Sequence, residues 1–319
     1  MNLSIILKGM AMGIAEAIPG VSGGTIAFIT GIYERLLDAI GGILGPKVVG
    51  KLRKEGITSA YQAADGNFLV QLGVGMVLGL AIAVFSITEL LANYPPVVWA
   101  FFFGLIISSA IYVARQITRW SPISILLLLI GTAIAYFLTT VNPMMGSTNL
   151  IFVFLAGMIA ISALILPGIS GSFILLLLGM YTVVFQAVRG LASGLNNLII
   201  VGVFALGCLI GLALFSRVLS YTFKSYPNQT LALLTGFMLG SLNKLWPWRE
   251  VTQTRINSSG EEVPFLDHPV APQTYEAVMG TPSYLVAAII AMVVGLVIVF
   301  ALDRFAPPQK TLDSSKEAA

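Results

Sequence analysis

The chain has 319 residues, 57% hydrophobic and 10% charged, with a formal net charge of +3 and a mean hydropathy of +0.93. A soluble domain cannot carry that much apolar surface, so the composition excludes a water-soluble globular protein and points to an all-α polytopic membrane protein. A single cysteine, Cys208, excludes an intrachain disulfide or a Cys-based metal cluster; the lone histidine, His268, argues against a His-rich metal site; and the small net charge gives no reason to expect nucleic acid.

Residues 3 to 18 form a short apolar run that ends at Pro19-Gly20, and residues 24 to 40 form a second. Each spans about 24–26 Å at 1.5 Å per residue, short of a hydrocarbon core of about 30 Å, so a re-entrant hairpin around 19–24 is expected. No basic stretch precedes the first run and Ala15-Glu16-Ala17 is a poor cleavage site, so no cleaved signal is expected. Lys47 to Glu55 reads as a basic loop facing anionic lipid. Membrane helices are expected near 68–91, 98–114 and 123–139. The second half has the same plan, with a hairpin around 167–172 and helices near 198–221, 231–245 and 284–302. Between the last two, residues 246–283 are polar and acidic and read as an external loop. Alternation around Asn257-Ser258-Ser259-Gly260 suggests a small β-hairpin there, with Trp246 and Trp248 at headgroup level. Beyond Pro307-Pro308 the polar tail, 307–319, is expected to be cytoplasmic and disordered.

The plan repeats because the sequence does. AIPGVSGGTIAFITGIY (17–33) aligns without a gap on LPGISGSFILLLLGMY (166–181) at an offset of 148 residues, pairing Pro19 with Pro167, Gly20 with Gly168, Ser22 with Ser170, Gly23 with Gly171 and Gly31 with Gly179. Weaker echoes pair Tyr94-Pro95 with Tyr226-Pro227 and Gly104 with Gly236. We therefore expect one duplication covering the chain: a first repeat at 1–145 and a second at 146–306. Each repeat would hold a hairpin that returns to its own side plus three crossings, an odd number, so the repeats would be inverted. With both termini in the cytoplasm, thirteen basic residues fall inside, and only Arg189, Lys244, Arg249 and Arg255 of the 17 fall outside, as the positive-inside rule requires.

A break within the membrane leaves backbone N–H groups without helical partners, which is expensive in hydrocarbon unless something occupies them. Half-helix N-termini carry a positive dipole end and suit anions, a phosphate above all. Pro19, Gly20, Ser22, Gly23, Gly24 and Thr25 at one break, and Pro167, Gly168, Ser170, Gly171 and Ser172 at the other, are thus the candidate anion site. A tight turn packed against other helices is the plainer explanation of each motif, but two copies in inverted halves favour a ligand where the breaks meet. Glu16 is the one carboxylate placed deep in an apolar run. It is a candidate for carrying a coupling proton or sodium ion, or for holding Lys8 or Arg35; its counterpart in the second repeat is Leu164. Lys8, Arg35 and Arg217 are candidate phosphate partners as well as ordinary interfacial charges. The pairs Gly9/Gly13, Gly75/Gly79, Gly207/Gly211 and Gly236/Gly240 read as helix-packing positions.

The segment GMAMGIAEAIPGVSGGTIAFITGIYERLLDAI, with its partner LILPGISGSFILLLLGMY, resembles the paired signature of the bacterial polyprenyl phosphate translocases (PopT), and the resemblance covers essentially the whole chain. It implies a plasma-membrane transporter that returns undecaprenyl phosphate, the carrier lipid of cell-wall and surface-polymer synthesis, from the outer to the inner leaflet, without cofactor. The family pattern often has Asp where this chain has Glu16, which keeps the acid and changes its reach. Two rivals stand beside this expectation. One is an integral-membrane polyprenyl pyrophosphate phosphatase, although neither motif contains the Arg or His that such chemistry would want. The other is a transporter of a small soluble anion or ion.

Overall fold

The computed structural model describes residues 2–16, 22–43, 45–141, 144, 146–191, 194–256 and 262–305. The chain folds almost entirely into helices. The first half runs α1 (Leu3–Glu16), α2 (Gly23–Ile29), α3 (Tyr33–Ile43), α4 (Pro46–Glu55), α5 (Ile57–Ala63), α6 (Gly66–Asn93), α7 (Pro95–Arg115) and α8 (Pro122–Thr140). The second runs α9 (Leu150–Ile165), α10 (Gly171–Leu177), α11 (Met180–Arg189), α12 (Leu195–Ser225) and α13 (Pro227–Leu245), then strands β1 (Arg249–Ile256) and β2 (Glu262–Pro269), α14 (Pro272–Met279) and α15 (Leu285–Phe305). Among the described residues, four helices are long and apolar enough to cross a membrane: 66–83 within α6, and α7, α8 and α12. The α10–α11 pair, bent by 106°, would make a fifth if taken as one span. α8 and α15 present Ile123, Leu126, Leu129, Val286, Ile290 and Val293 outward, an apolar surface of the kind a membrane protein turns to lipid or to other helices.

Apart from α4 and α5 in the first half and β1, β2 and α14 in the second, the same succession of helices occurs in both halves, and the halves pack alike: α1 lies on α6 as α9 lies on α12, and α7 lies on α15 as α13 lies on α8. Glycine makes the first contact possible. A Cβ at Gly13 would run into the Met76 carbonyl oxygen and one at Gly79 into that of Met10, so α1 and α6 touch backbone to backbone, as α9 and α12 do at Gly157 and Gly207.

Two expectations about the helices need correction. The 24–40 run is not one helix: it bends between α2 and α3. Gly31, at φ 71°, donates its N–H to Phe28 O, and Ile32 donates to Ala27 O, a left-handed helix stop that the apolar pattern alone does not reveal. Its counterpart, Gly179 at φ 68°, ends α10 in the same way, its N–H donating to Leu176 O. The basic segment from Lys47 is likewise no loop but α4, opened by Pro46 and closed at Gly56 with φ 88°.

The segment after α13 folds as an antiparallel hairpin, β1 on β2, followed by α14. Its expected tip at 257–260 lies outside the described residues, as does the 307–319 tail. Trp248 is not at a lipid surface: it is buried against Ala100, Tyr275 and Ala288, with its indole N–H donating to Ser283 O at 2.9 Å, and it pins the hairpin to the ends of α7 and α15.

Candidate functional site

From Ser22 onward, the first junction meets the second in the core. Pro19 and Gly20 lie outside the described residues, and the first junction is described from Ser22 onward. Ser22 caps α2: its backbone is extended, and its Oγ accepts from the Gly24 N–H at 3.1 Å. The same hydroxyl donates across the molecule to Leu166 O at 2.9 Å, with Leu164 O at 3.4 Å. Thr25 Oγ1 accepts from the Gly168 N–H at 3.1 Å, and the Tyr33 hydroxyl donates to Ile165 O at 3.0 Å. Gly24 lies so close to Ile165 that a side chain would meet its carbonyl. The hydroxyls of the first junction thus satisfy carbonyls at the C-terminal end of α9, groups that any helix end leaves without partners. The negative end of α9 is set against the positive end of α2. Ser22, Thr25 and Ser170 are all buried.

At the first junction the N–H groups expected to wait for an anion already have partners. Glu16 Oε1 accepts from the Gly23 N–H at 2.6 Å, so a carboxylate of the chain itself sits at the α2 N-terminus. The Thr25 N–H turns back to Ser22 O at 3.0 Å. In the second junction the place of Glu16 is taken by Leu164, which packs against Gly171. There Ser170 caps α10 geometrically but makes no capping hydrogen bond; its Oγ lies 2.9 Å from that of Ser172. Pro167 is buried, and Gly168, at φ 85°, turns the chain where a side chain would strike the Met238 backbone. The two junctions therefore share backbone geometry and differ in chemistry.

The three basic candidates do not converge on the junctions. Lys8 donates to Thr30 O at 2.7 Å and Arg217 Nε to Gly41 O at 2.8 Å, so both serve carbonyls near the C-terminal ends of half-helices. Arg35 makes a two-pronged, exposed ion pair with Asp65 at 2.6 and 3.0 Å over the Phe68 ring. Glu16 holds neither Lys8 nor Arg35.

One cation, Lys244, does lie near the second junction, although the sequence alone marks it only as one of the charges expected outside. A small cavity of about 20 Å³ beside Gly168 and Ser170 is walled by Phe173, Ser241 and Lys244. Thr139, Phe173 and Lys244 also wall a larger cavity of about 210 Å³ that extends to Arg249, Asp267 and His268 under the hairpin. The one available signal was Lys244 itself, a lysine in the last turn of the apolar helix α13.

An apolar bundle of spanning helices built around two buried, crossing breaks is a multi-pass helical membrane protein. A family model described as undecaprenyl phosphate translocase-like matches residues 12–263, and the chain belongs to that family. It is 42% identical over 304 residues to the "Polyprenyl-phosphate transporter" of Vibrio cholerae serotype O1, covering 95% of this chain and 97% of that one. It is 33% identical over 258 residues to the protein of the same name from Staphylococcus aureus, covering 76% and 85% respectively. No solved structure matches significantly.

Proposed function

We propose that the protein carries undecaprenyl phosphate from the outer to the inner leaflet of the bacterial plasma membrane, binding the phosphate headgroup where the two broken helices cross. One observation carries this reading: Ser22 and Thr25, buried hydroxyls of the first break, bond to Leu166 O and the Gly168 N–H of the second, where Ser170 is buried too, in a chain that shares 42% identity with a polyprenyl-phosphate transporter. In this reading the repeats are inverted and the α1–α3 and α9–α11 segments are re-entrant, with both termini cytoplasmic. The prenyl tail, at about 0.8 kcal/mol per buried CH₂, stays in lipid, and only the headgroup needs a protected path.

Moving a headgroup of charge about −1.5 to −2 inward against an inside-negative potential costs roughly 3.5–4.6 kcal/mol per 100 mV. Net recycling therefore draws on a lipid gradient or a coupled proton or sodium ion, and in this reading Glu16 takes part. Its carboxylate holds the Gly23 N–H that a phosphate oxygen would claim, so neutralising Glu16 and admitting the headgroup are linked events.

The test is reconstitution in liposomes with undecaprenyl phosphate in one leaflet, following its appearance in the other. Wild type should transport, and Ser22→Ala combined with Ser170→Ala should not. Glu16→Gln should change the pH or sodium dependence; an unchanged dependence removes Glu16 from the coupling role. Inorganic phosphate released from the pyrophosphate form of the lipid would instead establish the phosphatase, and flux of a soluble ion without lipid movement would establish an ion transporter.

A further inference from the structure

The cavity under the outer hairpin brings together two cations that the function described above leaves unassigned. Lys244 ends α13, Arg249 opens β1, and Asp267 lies near the end of β2. Lys244 Nζ reaches Asp267 Oδ1 at 2.7 Å, and Arg249 Nη2 reaches the same oxygen at 3.1 Å. Arg249 also donates through Nη1 to Asn243 O and through Nη2 to Asp267 O. Only 9% of the Arg249 side chain is exposed, and its buried Nε has no hydrogen-bond partner. Two cations thus share one carboxylate beside a cavity of about 210 Å³, where a single water needs roughly 10–15 Å³. A buried guanidinium with a spare donor and an unbalanced charge beside it is a costly arrangement if its purpose is only to fasten a hairpin. A phosphomonoester, with a charge of about −1.5 to −2 and three acceptor oxygens, matches two cations better than one carboxylate does.

The floor of the cavity leads toward the second junction. Lys244 Nζ lies 5.6 Å from the centre of the Phe173 ring, and Phe173 and Lys244 also wall the small cavity beside Gly168 and Ser170. We propose that Lys244 and Arg249 form a receiving site for a phosphomonoester headgroup on the outer side of the second junction, kept occupied by Asp267 until the headgroup displaces it. The proposal rests on the transport reading above for its orientation and for the source of the ligand.

The experiment uses the full chain purified in detergent, with farnesyl phosphate as probe and farnesol and inorganic phosphate as comparisons. Wild type should bind farnesyl phosphate and not farnesol. Lys244→Gln and Arg249→Gln should each weaken binding at least about tenfold, and Asp267→Asn, which frees both cations, should tighten it. Lys244→Arg keeps the charge and should bind like wild type. Because the triad also fastens the hairpin, Thr140→Trp supplies a variant that leaves it intact: Thr140 is exposed at the cavity wall, and the indole should block access without loss of thermal stability. Tighter binding of farnesyl phosphate than of inorganic phosphate assigns the site to a lipid headgroup; equal affinities keep the oxyanion site and assign it to free phosphate. Unchanged affinity in both Lys244→Gln and Thr140→Trp overturns the proposal, as does the absence of any phosphate binding by wild type. Undecaprenyl phosphate transport by the same preparations separates the two failures. Wild-type transport that Lys244→Gln leaves untouched sinks this site alone, whereas no transport by wild type sinks the transport reading with it.

Discussion

Gly24→Ala tests whether the crossing of the two breaks is the working core of the protein. At Gly24 an added Cβ would lie 3.0 Å from the carbonyl carbon of Ile165 and nearer still to its oxygen, where ordinary contact begins at 3.4 Å. The obstacle is backbone at the end of α9 and cannot rotate away. α2 and α9 must separate, stretching the Ser22 hydroxyl from Leu166 O and Thr25 Oγ1 from the Gly168 N–H. Overpacking of this kind costs about 1–3 kcal/mol, a 5- to 150-fold shift away from the crossed arrangement. The matched control is Gly73→Ala in α6, where a Cβ meets nothing within 4 Å and the helix gains roughly 0.5–1 kcal/mol. Thermal unfolding in detergent and lipid transport in liposomes should both fall for Gly24→Ala and hold for Gly73→Ala. Wild-type transport and stability in Gly24→Ala would refute the reasoning, because the backbones would then have room that the crossing denies them.

Thr25→Val keeps the shape and removes the acceptor of the Gly168 N–H; leaving that buried donor unpaired should cost about 1–3 kcal/mol, read as a lower unfolding temperature, with Thr25→Ser largely restoring it. Arg35→Gln breaks an exposed pair with Asp65 and a cation–π contact on the Phe68 ring, and should lower stability by about 1–2 kcal/mol at most while transport persists; abolished transport would show that Arg35 meets the substrate. The hairpin supplies a pH prediction. Burial pushes the Asp267 carboxyl up, but Lys244 and Arg249 outweigh it and hold the group below its ordinary range; hydrogen bonds from the Ser283 side chain and backbone lower Glu276 as well. A depressed carboxylate stabilises fully above its unfolded value, about 3.9 for Asp, and loses that contribution as pH falls through the folded value. Hydrogen-exchange protection of the Arg249–Ile256 strand should therefore stay level from pH 8 to about 5 and fall only below about 4. Loss between pH 7 and 6 would point to another group.

The 148-residue offset made the junctions legible: it puts Gly23 and Gly171 at the starts of α2 and α10, and Gly31 and Gly179, both at positive φ, just past their ends. It worked because broken helices depend on local Pro, Gly and Ser, which a sequence displays directly. The bends after α2 and α10 escaped notice because apolar residues continue through them, so hydropathy carried no mark of the turn. The partner of Glu16 escaped as well, since a carboxylate in an apolar run suggests a buried charge to be paired, and here the partner is the Gly23 N–H, seven residues on. The cluster of Lys244, Arg249 and Asp267 exists only once the hairpin docks, and no spacing rule links a helix end to two strands.

Glu16 and Asp267 make the same physical move at two places. Each is a carboxylate of the chain set against donors that, in the proposed reading, an incoming phosphate would use: the α2 N-terminus in one case, Lys244 and Arg249 in the other. An empty anion site in hydrocarbon or under a docked hairpin leaves donors and cations uncompensated, and an internal carboxylate removes that cost while no ligand is bound. It also sets a ceiling on affinity, since the ligand gains only the difference between its own contacts and those it displaces. A carrier needs that ceiling, because a headgroup bound too tightly at either place would not move on. The second junction has Leu164 where Glu16 would stand, and Lys244, which walls the cavity beside it, belongs to the hairpin site. If the headgroup passes between the two places, Asp267→Asn should trap it at the outer one, so the variant that binds farnesyl phosphate most tightly should transport undecaprenyl phosphate more slowly than wild type.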